Sequence, residues 1–165
     1  MHLTPADFDA LPEADAVALL LDCCASPTWA RSVAAARPFG NREALLSAAS
    51  AAAESLTGAD LDDALAGHPR IGERSEHASS RREQAAVTTA DAGTLERIAA
   101  GNGAYEEKFG HVYLVRAAGR SAGELLEILE RRLANDPETE RKEVRAALAE
   151  ITRLRLERLV TEETA

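Results

Sequence analysis

His68 stands between Gly67 and Pro69 at the head of the run His68-Pro69-Arg70-Ile71-Gly72. Proline biases the residue before it away from helical geometry, so this imidazole rides on an extended backbone in a stiff turn. An imidazole titrates near neutrality, and one with few directions open to it suits general acid-base work. The same residue also fits a loop histidine bonded to a carbonyl. Beyond the turn comes Ser80-Arg81-Arg82-Glu83-Gln84. On a helix, Ser80, Glu83, Gln84 and Val87 share a face through i, i+3 and i+4 spacing. That face would offer a hydroxyl, a carboxylate and an amide to a urea- or imide-like ligand. Ser-x-x-Glu is equally the capping-box pattern, and a capped first turn also presents N–H groups to an anion.

A third feature lies near the C-terminus. Val144, Leu148, Ile151 and Leu159 form an apolar helical stripe, and Arg155 falls within it. An inward arginine must meet an anion, because an uncompensated buried charge costs several kcal/mol. The anion is either a carboxylate of the protein or one carried by a substrate. His68, Glu73, Glu76 and His77 cluster in sequence, but their spacing does not set two histidines on one helical turn, so no metal is expected. There is no glycine-rich phosphate loop after a strand and no Gly-x-Ser-x-Gly elbow.

These groups need elements to position them. Thr4-Pro5, Ser26-Pro27 and Asp136-Pro137 each set a capping oxygen before a proline, a pattern that opens helices. The punctuation predicts helices over 5–10, 13–24, 27–36, 42–57, 60–66, 79–87, 92–109, 122–134 and 137–161. Two segments escape: the turn Gly67–Glu73, and the short apolar run His111–Val115 after Phe109-Gly110, which suits a buried extended connector. The expected fold is all-α, a single-domain multi-helix bundle over 1–165 with one short extended connector. The length supports one core. Alanine-rich, aromatic-poor composition (45% hydrophobic, 4% aromatic) favours close-packed helices over sheet.

A formal net charge of -9 argues against a nucleic-acid or membrane-surface partner, since no Lys/Arg block supplies a basic face. No run is apolar enough for a membrane span, and Met1–Asp7 carries no basic region of a secretory signal, so a cytoplasmic protein is expected. The C-terminal Thr161–Ala165 is no peroxisomal address. Adjacent Cys23 and Cys24 form neither a disulfide framework nor a metal pair and should pack in a core or interface.

Taken in order, these residues resemble the family of 2-oxo-4-hydroxy-4-carboxy-5-ureidoimidazoline (OHCU) decarboxylases. The resemblance begins at Phe8 and continues through Ala59-Asp60-Leu61 to the His68-Pro69 turn and Ser80-x-x-Glu83-Gln84. Asn102-x-x-Tyr105-x-x-Lys108-Phe109-Gly110, Gly119-Arg120, Leu129-x-x-Arg132-Leu133-x-Asn135 and Ile151-x-x-Leu154-Arg155-Leu156 complete it. It implies an all-helical, often homodimeric enzyme that decarboxylates OHCU to (S)-allantoin in the last step of urate degradation, without metal or organic cofactor. It implies His68 and Glu83 as catalytic residues, with Pro69, Ser80, Arg81, Arg82, Glu83 and Gln84 contacting substrate. It also places backbone contacts at Tyr113, Leu114, Val115, Arg116 and Ala117, and a carboxylate-binding role at Arg155. The chain departs from the family pattern at His111 and Tyr113, where phenylalanines are usual, and at Val112, often proline. A non-catalytic helical interaction module is the competing interpretation, and a helical DNA-binding regulator is disfavoured by the charge.

Overall fold

Capping chemistry opens the helices where the sequence places it. The Thr4 side chain accepts from Asp7 N–H while Asp7 returns a bond to Thr4 N–H, closing a capping box ahead of Pro5. Ser26 caps through Trp29 N–H, and Asp136 accepts from Thr139 N–H at 2.8 Å. The computed structural model describes residues 2–73, 78–87 and 89–162. The charged link over 74–77, with Glu76 and His77, lies outside them. Among the described residues the helices are α1 (Pro5–Ala10), α2 (Glu13–Cys23), α3 (Pro27–Ala35), α4 (Arg42–Glu54), α5 (Gly58–Ala66), α6 (Ala78–Glu83), α7 (Ala92–Phe109), α8 (Ala122–Arg132) and α9 (Pro137–Leu159). The only extended pairing among them is an isolated parallel bridge between Leu3 and Val160. The fold is all-α, as expected.

Two helix ends differ from expectation by more than two residues. The fourth helix stops at Glu54, because Ser55 and Leu56 turn their N–H groups to Ala52 and Ala53 in tighter i→i+3 bonds. The chain restarts as α5 at Gly58. The sixth helix stops at Glu83 rather than running to 87. Beyond it, Ala85 bonds to Arg82 O, Val87 to Gln84 O and Ala90 to Val87 O, again i→i+3. This tightening carries Val87 into the core, where it is fully buried. Ser80 therefore lies inside α6 rather than at its cap, and the capping-box alternative for Ser80 and Glu83 falls away.

The chain divides into two compact units, residues 1–67 with 148–165, and residues 68–147. In the first, Phe8, Leu20, Trp29, Leu45 and Leu46 are buried, and the Trp29 indole donates to Ala49 O at 2.9 Å. Cys23 and Cys24 pack in this unit and form no disulfide. Arg42 donates to Val160 O and Glu157 O, serving carbonyls that the end of α9 leaves without helical partners. The second unit is built on α7 and α8 around Ile71, Val87, Ile98, Tyr105, Tyr113, Val115, Leu125 and Leu129. Each large aliphatic side chain buried there contributes about 1.5–3 kcal/mol. No described helix is long and apolar enough to cross a membrane.

Candidate active site

In the second unit the His68 turn is docked by its backbone and by Arg70, whose Nε donates to Glu106 of α7 at 2.9 Å. Gly67 ends α5, and His68 and Pro69 follow in no regular element, both half-buried. Ile71 C=O accepts from the Asn102 side chain of α7 at 2.9 Å. Gly72 adopts φ +92°, a conformation that favours glycine, and its N–H donates to Oε1 of Gln84, the residue just past α6, at 2.9 Å. The two segments singled out by sequence, His68–Gly72 and Ser80–Gln84, are thus joined directly. Within the second, Ser80 and Gln84 are buried, Glu83 is half-buried, and Arg81 and Arg82 are exposed. Glu83 therefore borders the buried face rather than sharing it fully. Gln84 gives one lone pair of its carbonyl oxygen to the turn and keeps its NH2 group as a donor for a ligand, as the sequence suggested. Asn102 was not among the expected site residues. Its polar amide one helical turn before buried Tyr105 was the available signal, and its Oδ1 meets no hydrogen-bond partner among the described residues.

The connector enters this unit where α7 ends. Gly110 takes the left-handed conformation, φ +79°, and its N–H returns to Glu106 O at 2.8 Å, a common helix stop. Residues 112–117 then form no helix or strand, and Tyr113, Leu114, Val115 and Ala117 are all buried. A buried backbone without a ladder must find other partners. The Arg132 Nη1 of α8 donates to Leu114 O at 2.7 Å, and Tyr113 Oη donates to Leu125 O at 3.0 Å. Arg116 is half-buried, and its carbonyl accepts from Arg120 at 3.1 Å.

Arg132 is itself held by a buried carboxylate. Its Nε and Nη2 both donate to Glu140 Oε1, the same oxygen that accepts from Tyr105 Oη at 2.6 Å. The guanidinium also lies over the Tyr113 ring, 5.1 Å from its centroid. Burial opposes the charge on Arg132, but the hydrogen bonds and attraction of Glu140 outweigh it and hold its pKa above the ordinary arginine value. Removing either partner would strand a buried charge, at about 3–5 kcal/mol. The pair was not among the expected site residues. Arg132 continues the apolar row Leu125–Leu129, and Glu140 precedes Val144 and Leu148 on theirs, so the inward-charge signal that marked Arg155 was present for both.

Tyr105 and Tyr113 are the chain's only tyrosines, and both are buried. Burial raises Tyr105, and the hydrogen bond and charge of Glu140 raise it further. Burial also raises Tyr113, against the opposing pull of Arg132. A pKa raised by folding gives stability that is whole below the unfolded value, about 10, and is lost as pH climbs through the folded one. In an alkaline titration the phenolate band should therefore stay absent past pH ~10 and appear only together with loss of the helical circular-dichroism signal. Reversible phenolate formation in the folded protein near that pH would contradict this burial.

Arg155 belongs to the other unit. It is 7% exposed on the α9 row that includes Leu148 and Ile151, as its spacing predicted, and its Nη1 donates to Cys23 O at 3.4 Å. The neighbouring Cys24 thiol is pushed up by burial, which outweighs the lowering influence of Ser26, Thr152 and Arg155.

A family model for OHCU decarboxylase matches residues 9–157. The chain is similar to an OHCU decarboxylase of Amia calva, 31% identical over 141 residues that make up 81% of each chain. It is 28% identical to the uric acid degradation bifunctional protein TTL of Arabidopsis thaliana over 148 residues, 85% of this chain but only 46% of that protein. Among solved structures, an OHCU decarboxylase crystallised in the presence of (S)-allantoin superposes with a TM-score of 0.72 at 27% identity, covering 84% of this chain and 94% of the other. An (S)-allantoin synthase shares the fold at 19% identity, with a TM-score of 0.71 over 93% of this chain and 53% of that one. The match to the family model over nearly the whole chain, on a helical fold that joins the His68 turn to Gln84, establishes that the chain belongs to the OHCU decarboxylase family.

Proposed function

We propose that this chain decarboxylates OHCU to (S)-allantoin, the last step of urate degradation, as a carboxy-lyase whose acid-base group is His68. The observation that carries the residue assignment is the bond from Gly72 N–H to Gln84 Oε1, which fixes the His68 turn against the helix bearing Glu83. A family resemblance gives the reaction; this bond gives a reason why these two segments act together.

The substrate supplies its own electron sink. The bond to the carboxylate breaks and carbon dioxide leaves. The electron pair moves into the ring toward the C=N nitrogen, which takes a proton and leaves an enol. Protonation at the ureido-bearing carbon, with loss of the enol proton, gives the carbonyl product, so one proton is consumed overall. The protein has to bind the ureido and ring amides, orient the leaving carboxylate and deliver the proton to one face. His68 orients the leaving group and handles the proton, with Pro69 holding its direction. Glu83 accepts from the ureido N–H groups, the Gln84 NH2 donates to a ring oxygen, and Ser80 supports them. Arg81 and Arg82 flank this grip on its exposed side. Backbone groups of Tyr113–Ala117 face the ring, and Arg155 holds anionic charge. Placement of this kind is worth several kcal/mol of barrier, and one donor aimed at developing charge adds roughly 3 more.

With the sink inside the substrate, the reaction asks for no metal or organic cofactor. Purified protein should accelerate carbon dioxide release from freshly prepared OHCU over the spontaneous rate. The acceleration should survive dialysis against a strong chelator unchanged. A rate lost on chelation and restored by zinc or manganese would sink the cofactor-free mechanism, and no acceleration at all would sink the assignment. The enzyme is further proposed to be a cytoplasmic homodimer, for which light scattering should return twice the mass of the chain.

A further inference from the structure

We infer that Arg132 is a positioning residue for the reaction: through the buried Arg132–Glu140 pair it sets the backbone of the connector Tyr113–Ala117. The inference rests on the proposal that this connector contacts substrate. It adds a residue outside the substrate contacts that fixes how those contacts point.

The connector has no ladder or helix to hold it, and backbone recognition requires fixed N–H and C=O directions. Two consecutive residues are instead tied to α8, Leu114 by Arg132 Nη1 and Tyr113 by its own hydroxyl on Leu125 O. Arg132 can serve Leu114 in one direction only, because its other two nitrogens, Nε and Nη2, both donate to Glu140 Oε1 and so fix the plane of the guanidinium. Glu140 is fixed in turn by Tyr105 Oη and by Asn135 Nδ2, the latter at 3.0 Å on Oε2. Every member of the set is buried or half-buried, and Glu140 and Arg132 are 0% and 2% exposed. For stability alone, a well-packed apolar pair of similar volume does as well as a buried ion pair. An apolar pair could not offer Leu114 a donor. The planar fork of arginine is what lets one side chain grip a carboxylate and still present a third N–H in a set direction.

Arg132→Lys keeps the charge and removes that fork. Amide exchange over 111–117, followed by mass spectrometry on the whole chain, should rise by about tenfold or more, with α7 and α8 protected as before. KM for OHCU should rise by on the order of tenfold while kcat falls much less. Glu140→Gln is the second variant. It retains an acceptor for Arg132 and leaves the donor to Leu114 in place, so its KM should change less than that of Arg132→Lys for a comparable loss of melting temperature. If Arg132→Lys leaves connector exchange unchanged, or if KM simply tracks melting temperature across both variants, the pair is structural and the inference is overturned. If exchange rises while KM stays put, the connector is not a substrate surface, and the fault lies in the underlying proposal. Should Arg132→Lys fail to fold, the double variant Arg132→Met with Glu140→Leu decides, because it leaves no stranded buried charge and offers Leu114 no donor: unchanged connector exchange and KM would overturn the inference, and both raised would support it.

Discussion

Replacing His68 by asparagine should lower the rate of decarboxylation by a factor on the order of 100 or more, the usual scale for loss of a positioned acid-base group. Helical content should be unchanged, and the melting temperature should stay within a few degrees of the parent. The separation follows from how the turn is built. Ile71 C=O, Gly72 N–H and the Arg70 side chain dock it on Asn102, Gln84 and Glu106, and those bonds remain when the residue at 68 is changed. His68 is half-buried on a segment outside any helix, so asparagine replaces its side chain without touching the core cluster. If His68 were only a loop residue bonded to a carbonyl, the variant would turn over OHCU at the parental rate.

Arg155→Lys tests the other charged group. The substitution retains a cation but removes the planar fork that matches a carboxylate. If Arg155 binds a substrate carboxylate, loss of a charge-assisted hydrogen bond worth about 1.5–3 kcal/mol should raise KM by roughly 10- to 100-fold. The folded population should remain native by circular dichroism. The opposite result, a collapse in thermal stability with unaltered KM in the surviving folded fraction, would make Arg155 a structural anchor for the segment around Cys23.

Much of this was legible in the sequence because helix punctuation is local chemistry. A capping oxygen before a proline satisfies orphan N–H groups wherever it occurs, and Thr4, Ser26 and Asp136 all mark true starts. The inward place of Arg155 followed from helical spacing, and the unhelical stretch after Gly110 from a short apolar run too brief for a helix. What the sequence could not give was partner choice. Whether Gln84 faces a ligand or the Gly72 N–H depends on where a distant turn lands, and Ser80-x-x-Glu83 reads as a cap until the helix is seen to start at Ala78. The tight turns after Glu83 were hidden for the same reason, since no glycine or proline marks them. Arg132 and Glu140 carried the same inward-charge signal as Arg155, but a charge on one helix names its partner on another only after the helices pack.

The most direct test is the handedness and rate of product formation. Purified protein, added to OHCU made in place from urate, should yield allantoin whose circular dichroism grows with the sign of the S enantiomer and faster than spontaneous decay. Optically inactive allantoin accumulating at the spontaneous rate would contradict the assignment of this chain as an OHCU decarboxylase.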